Sequence, residues 1–191
     1  MSLQLKLGPM WARKTTSLIG EYQKWRCIGK QTLVINHSAD NRYDDGTASC
    51  LSSHDLVKIP CVAVARLEDV DPRSIEESQA IFINEGQFFA NLKDIVLHWV
   101  EDLGKHVYIA GLDGDRNRQK FGELIDLIPY ADHYEKLYAK CKLCLDGTDA
   151  IFTYDRTQTT GDQVQVGVNQ YLPLCRKHYL GMCDGGHACP P

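Results

Sequence analysis

Eight residues, Gly8-Pro9-Met10-Trp11-Ala12-Arg13-Lys14-Thr15, do most to limit what this chain can fold into. They follow the phosphate-loop pattern G-x-x-x-x-G-K-[ST] at every fixed position but one. Arg13 stands where the pattern has Gly. A strand-like run, residues 3–7, comes before the loop, and a helix-like run, residues 15–25, comes after it. That order aims backbone N–H groups and a helix N-terminus at an anion. In such a loop Lys14 reaches the β/γ-phosphates and the Thr15 hydroxyl reaches Mg²⁺. An ordinary strand–helix connection is the alternative reading.

The second constraint lies near the other end. Cys141-Lys142-Leu143-Cys144 is answered by Cys175-Arg176-Lys177-His178. Two pairs with two-residue gaps, far apart in the chain, have the spacing of a structural zinc site. Three thiolates and one imidazole fill a tetrahedral shell and leave no open position for chemistry. Two disulfides or four unrelated residues are the alternatives. Disulfides need an oxidising compartment, and no basic-then-apolar leader signals export. A cytoplasmic protein is expected. Of the other five thiols, Cys183 and Cys189 lie near the C-terminal end, and Cys27, Cys50 and Cys61 are expected to be buried or half-buried.

A chain of 191 residues with 43% hydrophobic and 24% charged residues can build a real core. No run of some eighteen apolar residues is present, so no membrane span is expected. A net charge of −4 argues against a protein that coats nucleic acid.

Along the chain, strands are expected at residues 31–35, 58–65, 80–83 and 106–110. Residues 37–54 read as a polar loop or hairpin. Helices are expected at 71–78, at 92–103 and at 121–128, the last stopped by Pro129. Strands alternating with helices imply α/β architecture: a parallel sheet with helices on both faces. After about residue 134 the alternation stops. Residues 1–133 then form the nucleotide-binding domain and 134–179 a small domain that needs zinc to complete its core. Residues 145–174 would be a long loop pinned by metal ligands. Residues 180–191, rich in Gly and Pro, are expected to be a disordered tail.

Five features in order, Gly8-Pro9-Met10 with Lys14-Thr15-Thr16, Glu85-Gly86-Gln87-Phe88-Phe89, residues 111–115, Phe121-Gly122 and the Cys/His site, resemble thymidine kinases of the cellular and poxviral type. The resemblance covers roughly residues 5–179. It implies a phosphate-loop α/β domain with a C-terminal zinc-bound lasso, transfer of the γ-phosphate of ATP to the thymidine 5′-hydroxyl, Mg²⁺ as cofactor, and a homotetramer. It implies that Glu85 is the general base. Gly8, Met10, Arg13, Lys14, Thr15 and Thr16 would bind ATP, and Thr15, Asp40 and Asn84 would surround the magnesium. Met10, Arg42, Phe88, Leu112, Arg116, Phe121, Thr153, Val164, Gly167 and Tyr171 would contact the nucleoside.

Four positions depart from the family pattern. Arg13 replaces Gly, Asn84 the usual Asp, Arg116 an aromatic residue and Val166 a Gly. The reading that follows is a working kinase with altered contacts, since Lys14, Thr15 and Glu85 are in place. A weakened or inactive homologue that binds nucleotide in a regulatory role is the alternative. A zinc-ribbon nucleic-acid binder is disfavoured, because residues 141–178 carry no dense basic patch.

Overall fold

The computed structural model describes residues 1–40, 50–52, 57–156 and 170–184. The first strand, β1 (Ser2–Leu7), runs into the phosphate loop and then into helix α1 (Lys14–Cys27). Next come β2 (Thr32–His37), a short antiparallel hairpin of β3 (Cys50–Ser52) and β4 (Lys58–Pro60), and β5 (Val62–Val64). Helix α2 (Pro72–Glu77) leads to β6 (Ala80–Ile83), and helix α3 (Leu92–Leu97) to β7 (His106–Gly111). The last strand of the sheet is β8 (His133–Lys136). Six strands pair in the order β5-β2-β6-β7-β1-β8, all parallel.

The side-chain period of two explains why both faces are apolar. Leu33, Ile35, Ile81, Ile83, Val107 and Ile109 face one core, with Leu92, Val96 and Trp99 packed over them. Val34, Ala80, Phe82, Tyr108 and Ala110 face the other, under Leu18 and Ile19 of α1. Phe82 and Tyr108 stack there with ring centroids 4.9 Å apart. Helices thus cover both faces, as the alternation of elements predicts.

Several local expectations change. The helix expected at 92–103 is α-helical only to Leu97, and His98–Asp102 widen into a π-type turn. The expected helix at 121–128 is a 3₁₀ stretch, Leu124–Tyr130, with Pro129 inside it. The expected strand at 58–65 is two strands, β4 and β5, in different sheets. Helix α2 matches its sequence signals: Asp71 caps it by accepting from the Arg73 N–H, and Pro72 fills the first turn. Cys27 and Cys50 are exposed and only Cys61 is half-buried, because α1 ends and β3 begins at the surface.

Beyond β8 the chain folds as a small lobe. β9 (Ala139–Lys140) pairs with β10 (Asp149–Ala150), and β11 (Phe152–Asp155) with β12 (Tyr171–Leu174), both antiparallel. So most of the described part of the span expected as a loop is strand. Helix α4 (Arg176–Asp184) follows, and residues 180–184 are helical where a tail is expected from sequence. Among the described residues no helix is long and apolar enough to cross a membrane.

Candidate active site

The parallel sheet delivers four loops to one edge. β1, β2, β6 and β7 end level with one another: Leu7 pairs with Gly111, and Ile83 with both Ile35 and Ile109. Ligands of open parallel sheets sit outside this C-terminal edge.

The loop after β1 is sharply wound. Gly8, Trp11 and Arg13 all have positive φ, and Arg13 (φ 59°, ψ 30°) occupies the N-cap of α1 in left-handed geometry. The missing Gly of the motif therefore falls on a residue whose backbone is one that Gly adopts freely. The Arg13 side chain is exposed. Lys14 Nζ lies across the loop and donates to the Pro9 carbonyl at 2.8 Å. Thr16 is half-buried in the first turn of α1.

Arg13→Gly is expected to stabilise the chain. Left-handed backbone costs a side-chain-bearing residue about 1–2 kcal/mol. The extra freedom of an unfolded Gly takes back about 0.5–1 kcal/mol. The remainder should raise Tm by roughly 1–4 °C in a chain of this size, and ATP should bind more tightly. A lower Tm together with weaker ATP binding would show that the Arg13 side chain contributes more than its backbone costs.

From Thr15 a line of hydrogen bonds crosses three strand ends. Thr15 Oγ1 donates to Asn84 Oδ1 (3.1 Å), Asn84 Nδ2 to Asn36 Oδ1 (2.9 Å), and Asn36 Nδ2 to Asp40 Oδ2 (3.3 Å). An ionised Asp40 can only accept, so it sets the direction of every bond behind it. Asn84 is 2% exposed. An Asp there would be a buried charge that needs a cation; Asn meets the same neighbours as a neutral amide.

Glu85 follows Asn84 in left-handed backbone (φ 54°, ψ 43°) and is 8% exposed. Gln87 Nε2 donates to Glu85 Oε2 at 2.7 Å, and Gln87 Oε1 accepts from the Leu112 N–H at 2.9 Å. His37 stands beside this group, its ring centroid 5.4 Å from that of Phe88 and 4.8 Å from that of Phe89. Its Nδ1 accepts from the Ala39 N–H. Burial lowers the His37 pKa, while a bond with Ala65 and the charges of Asp40 and Glu85 pull the other way.

The remaining expected positions lie after β6, in the loop after β7 and in the lobe beyond β8. Phe88 meets Phe121 edge-on at 5.4 Å. Leu112 is half-buried and opens the loop after β7. Asp115 Oδ1 ties that loop by accepting from the N–H groups of Asn117 and Gln119. Arg116 Nη1 pairs with Asp155 Oδ2 at 2.7 Å, the Asp155 side chain being 3% exposed. The Arg116 carbonyl accepts from the Tyr179 hydroxyl at 2.6 Å. The Thr153 hydroxyl accepts from the Met10 N–H at 3.0 Å. Thr153 and Asp155 share one face of β11, so this strand clasps both the phosphate loop and the loop after β7. Tyr171, half-buried, lies opposite Asp155 in the hairpin. Arg42, Val164 and Gly167 lie outside the described residues, as does Val166.

The Cys/His cluster has the shape of a metal site. Cys141, Cys144, Cys175 and His178 bring their ligand atoms within 4.8 Å of one another. Cys144 Sγ is 3.7 Å from Cys175 Sγ, and His178 Nδ1 is 3.2–3.5 Å from the three sulfurs. A zinc with Zn–S bonds of about 2.3 Å gives tetrahedral S···S edges of about 3.8 Å, so the donors stand at ligand spacing. Burial opposes a Cys141 thiolate, but backbone N–H groups of Cys175, Leu143 and Cys144, with His178, outweigh it and bring the pKa to about 6. The donor set and its geometry fit a closed structural zinc.

The sequence of residues 1–179 matches the family described as "Thymidine kinase". The chain belongs to the thymidine kinase family. A "Thymidine kinase" of Oryza sativa subsp. japonica is 39% identical over 91% of this chain and 64% of its own length. "Thymidine kinase a" of Arabidopsis thaliana is 34% identical over 91% of this chain and 73% of its own. A "Thymidine kinase" of Myxoma virus (strain Uriarra) is 34% identical over 93% of this chain and 96% of its own. The chain thus spans about two thirds of the length of the rice thymidine kinase and nearly all of the viral one. Asn36, His37, Asp155 and Tyr179 are the site neighbours that no motif flags; each owes its place to a contact between distant segments.

Proposed function

We propose that this chain transfers the γ-phosphate of ATP to the 5′-hydroxyl of thymidine, giving thymidine monophosphate in nucleoside salvage. The observation that carries the proposal is the meeting of Lys14, Thr15, Asp40 and Glu85 at one edge of the sheet, in a chain of the thymidine kinase family. Phosphoryl transfer asks a protein for positioning and charge stabilisation more than for covalent chemistry. Lys14 and the N-terminus of α1 supply positive charge for the phosphates. Thr15 and Asp40, with Asn84 between them, would hold Mg²⁺, which shields the β- and γ-phosphate charge when bound. The Thr15 hydroxyl spends its proton on Asn84 and keeps its oxygen lone pairs for the metal. Glu85, fixed by Gln87, accepts the proton of the attacking hydroxyl. Met10, Phe88, Leu112, Phe121 and Tyr171 would wall the nucleoside, with the segment that includes Val164 and Gly167 reading the base. Arg42 would lie near the phosphates. Arg116 acts through its pair with Asp155, holding the loop after β7 against the zinc lobe. The working form is a homotetramer in the cytoplasm.

A second reading has its own observations. Arg13 in left-handed backbone and the neutral Asn84 both weaken a phosphate and metal site. They suit a homologue that binds nucleotide without turning it over. One assay separates the two. The purified chain is incubated with Mg-ATP and thymidine, and the 5′-monophosphate is measured. Product at tens of turnovers per chain supports the kinase. Nucleotide and thymidine binding without product supports the silent homologue.

A further inference from the structure

Glu85 is not held by its own backbone turn alone. Gln87 sits two residues on, 2% exposed, with both ends of its amide engaged. The Leu112 N–H can only donate, so the amide oxygen of Gln87 must face it. That fixes the amide orientation and turns the NH₂ group onto Glu85 Oε2 at 2.7 Å. The surroundings leave the Gln87 side chain nowhere else to go. A Cβ at Gly111 would lie 2.5 Å from Gln87 Oε1. A Cβ at Gly122, which has φ +61°, would run into the Gln87 carbonyl oxygen. The end of β7 and the loop that follows it thus close around one glutamine through two glycines.

We infer that Gln87 is a positioning residue for Glu85: its buried amide sets the direction of the carboxylate. The inference rests on the reading of Glu85 as the base. Two facts favour it over a purely structural role. The N–H is spent on the carboxylate oxygen rather than on a backbone carbonyl. And the same amide holds the N–H of Leu112, the first residue beyond β7. Without that donor the carboxylate loses the bond that sets its direction, and a misplaced base slows the transfer more than it weakens substrate binding.

The test uses the whole chain with zinc bound. Gln87→Met keeps the length and removes the donor. At pH 7, kcat should fall roughly tenfold while the thymidine KM changes by less than about threefold. Glu85→Gln with Gln87→Met should be no slower than Glu85→Gln alone, since Gln87 acts through Glu85. A folded Gln87→Met chain that keeps its kcat, or a double variant clearly slower than Glu85→Gln alone, overturns the inference. If Gln87→Met does not fold, Gln87→Asn, which keeps the amide but shortens its reach, takes its place with the same two outcomes. Full turnover in Glu85→Gln would instead remove the base reading on which the inference rests.

Discussion

Glu85→Gln is expected to lower turnover by roughly 10²- to 10⁴-fold, the worth of a positioned general base. Thymidine affinity should change far less, because proton acceptance matters mainly in the transition state. The substitution is clean. A glutamine at 85 can still accept from Gln87 Nε2 through its carbonyl, so shape and the main buried contact survive. Only basicity is lost. The measurement is single-turnover phosphoryl transfer, which keeps product release out of the rate. Asn84 enters as a control. Asn84→Asp adds a carboxylate that the Thr15 hydroxyl is placed to meet, and should lower the Mg²⁺ concentration needed for half-maximal rate. Full single-turnover rate in Glu85→Gln would remove Glu85 from the chemistry.

Loss of zinc should have the larger structural effect. Among the described residues the lobe beyond β8 has a hydrophobic core of seven buried residues, and two of them are the candidate ligands Cys141 and Cys175. A core that small cannot offset the chain entropy of its segment. Structural zinc contributes on the order of 10 kcal/mol. Metal analysis should find about one zinc per chain. Chelation, or Cys144→Ser, should open the region after Lys136 to protease while α1 and the sheet stay protected. Nucleoside affinity should fall with it, since Thr153 and Tyr179 carry the lobe's contacts to the phosphate loop and to the loop after β7. Zinc-free protein with an unchanged digestion pattern would refute this.

The sequence made some of this legible and hid the rest for physical reasons. β6 and β7 are continuous apolar runs because a central parallel strand is buried on both faces. β8 shows no such run: all four of its residues are exposed. Backbone pairing to β1 and the Lys6–Glu135 ion pair hold it there, and neither leaves a periodic trace. The apolar spacing at 92–103 is the same for an α-helix and for one that widens at its end, so the π-type turn was invisible. In the site, the loop and the Cys/His pairs stood out because their ligands lie close in sequence. Asn36 and Asn84 are 48 residues apart, Arg116 and Asp155 39, and Tyr179 and Arg116 63. No local pattern announces partners at such distances. Arg13 was visible as an oddity, but only its φ shows why a glycine suits that position.

The place of β1 in the sheet has a consequence for how the chain comes to exist. It is made first, yet its neighbours are β7 and β8: Ser2 meets His106 and Gln4 meets His133. On a ribosome adding about 5–20 residues per second, β1 waits roughly 5–20 s for the first of them. Meanwhile β2, β5 and β6 are already present and able to pair. The phosphate loop hangs from β1, so it takes shape late, after the strands that will face it. Nucleotide therefore cannot act as an early template for folding. The nucleotide proposed for this loop can only select chains whose sheet has already closed around its first strand, which makes its binding a report on a closed sheet rather than an aid to closing it.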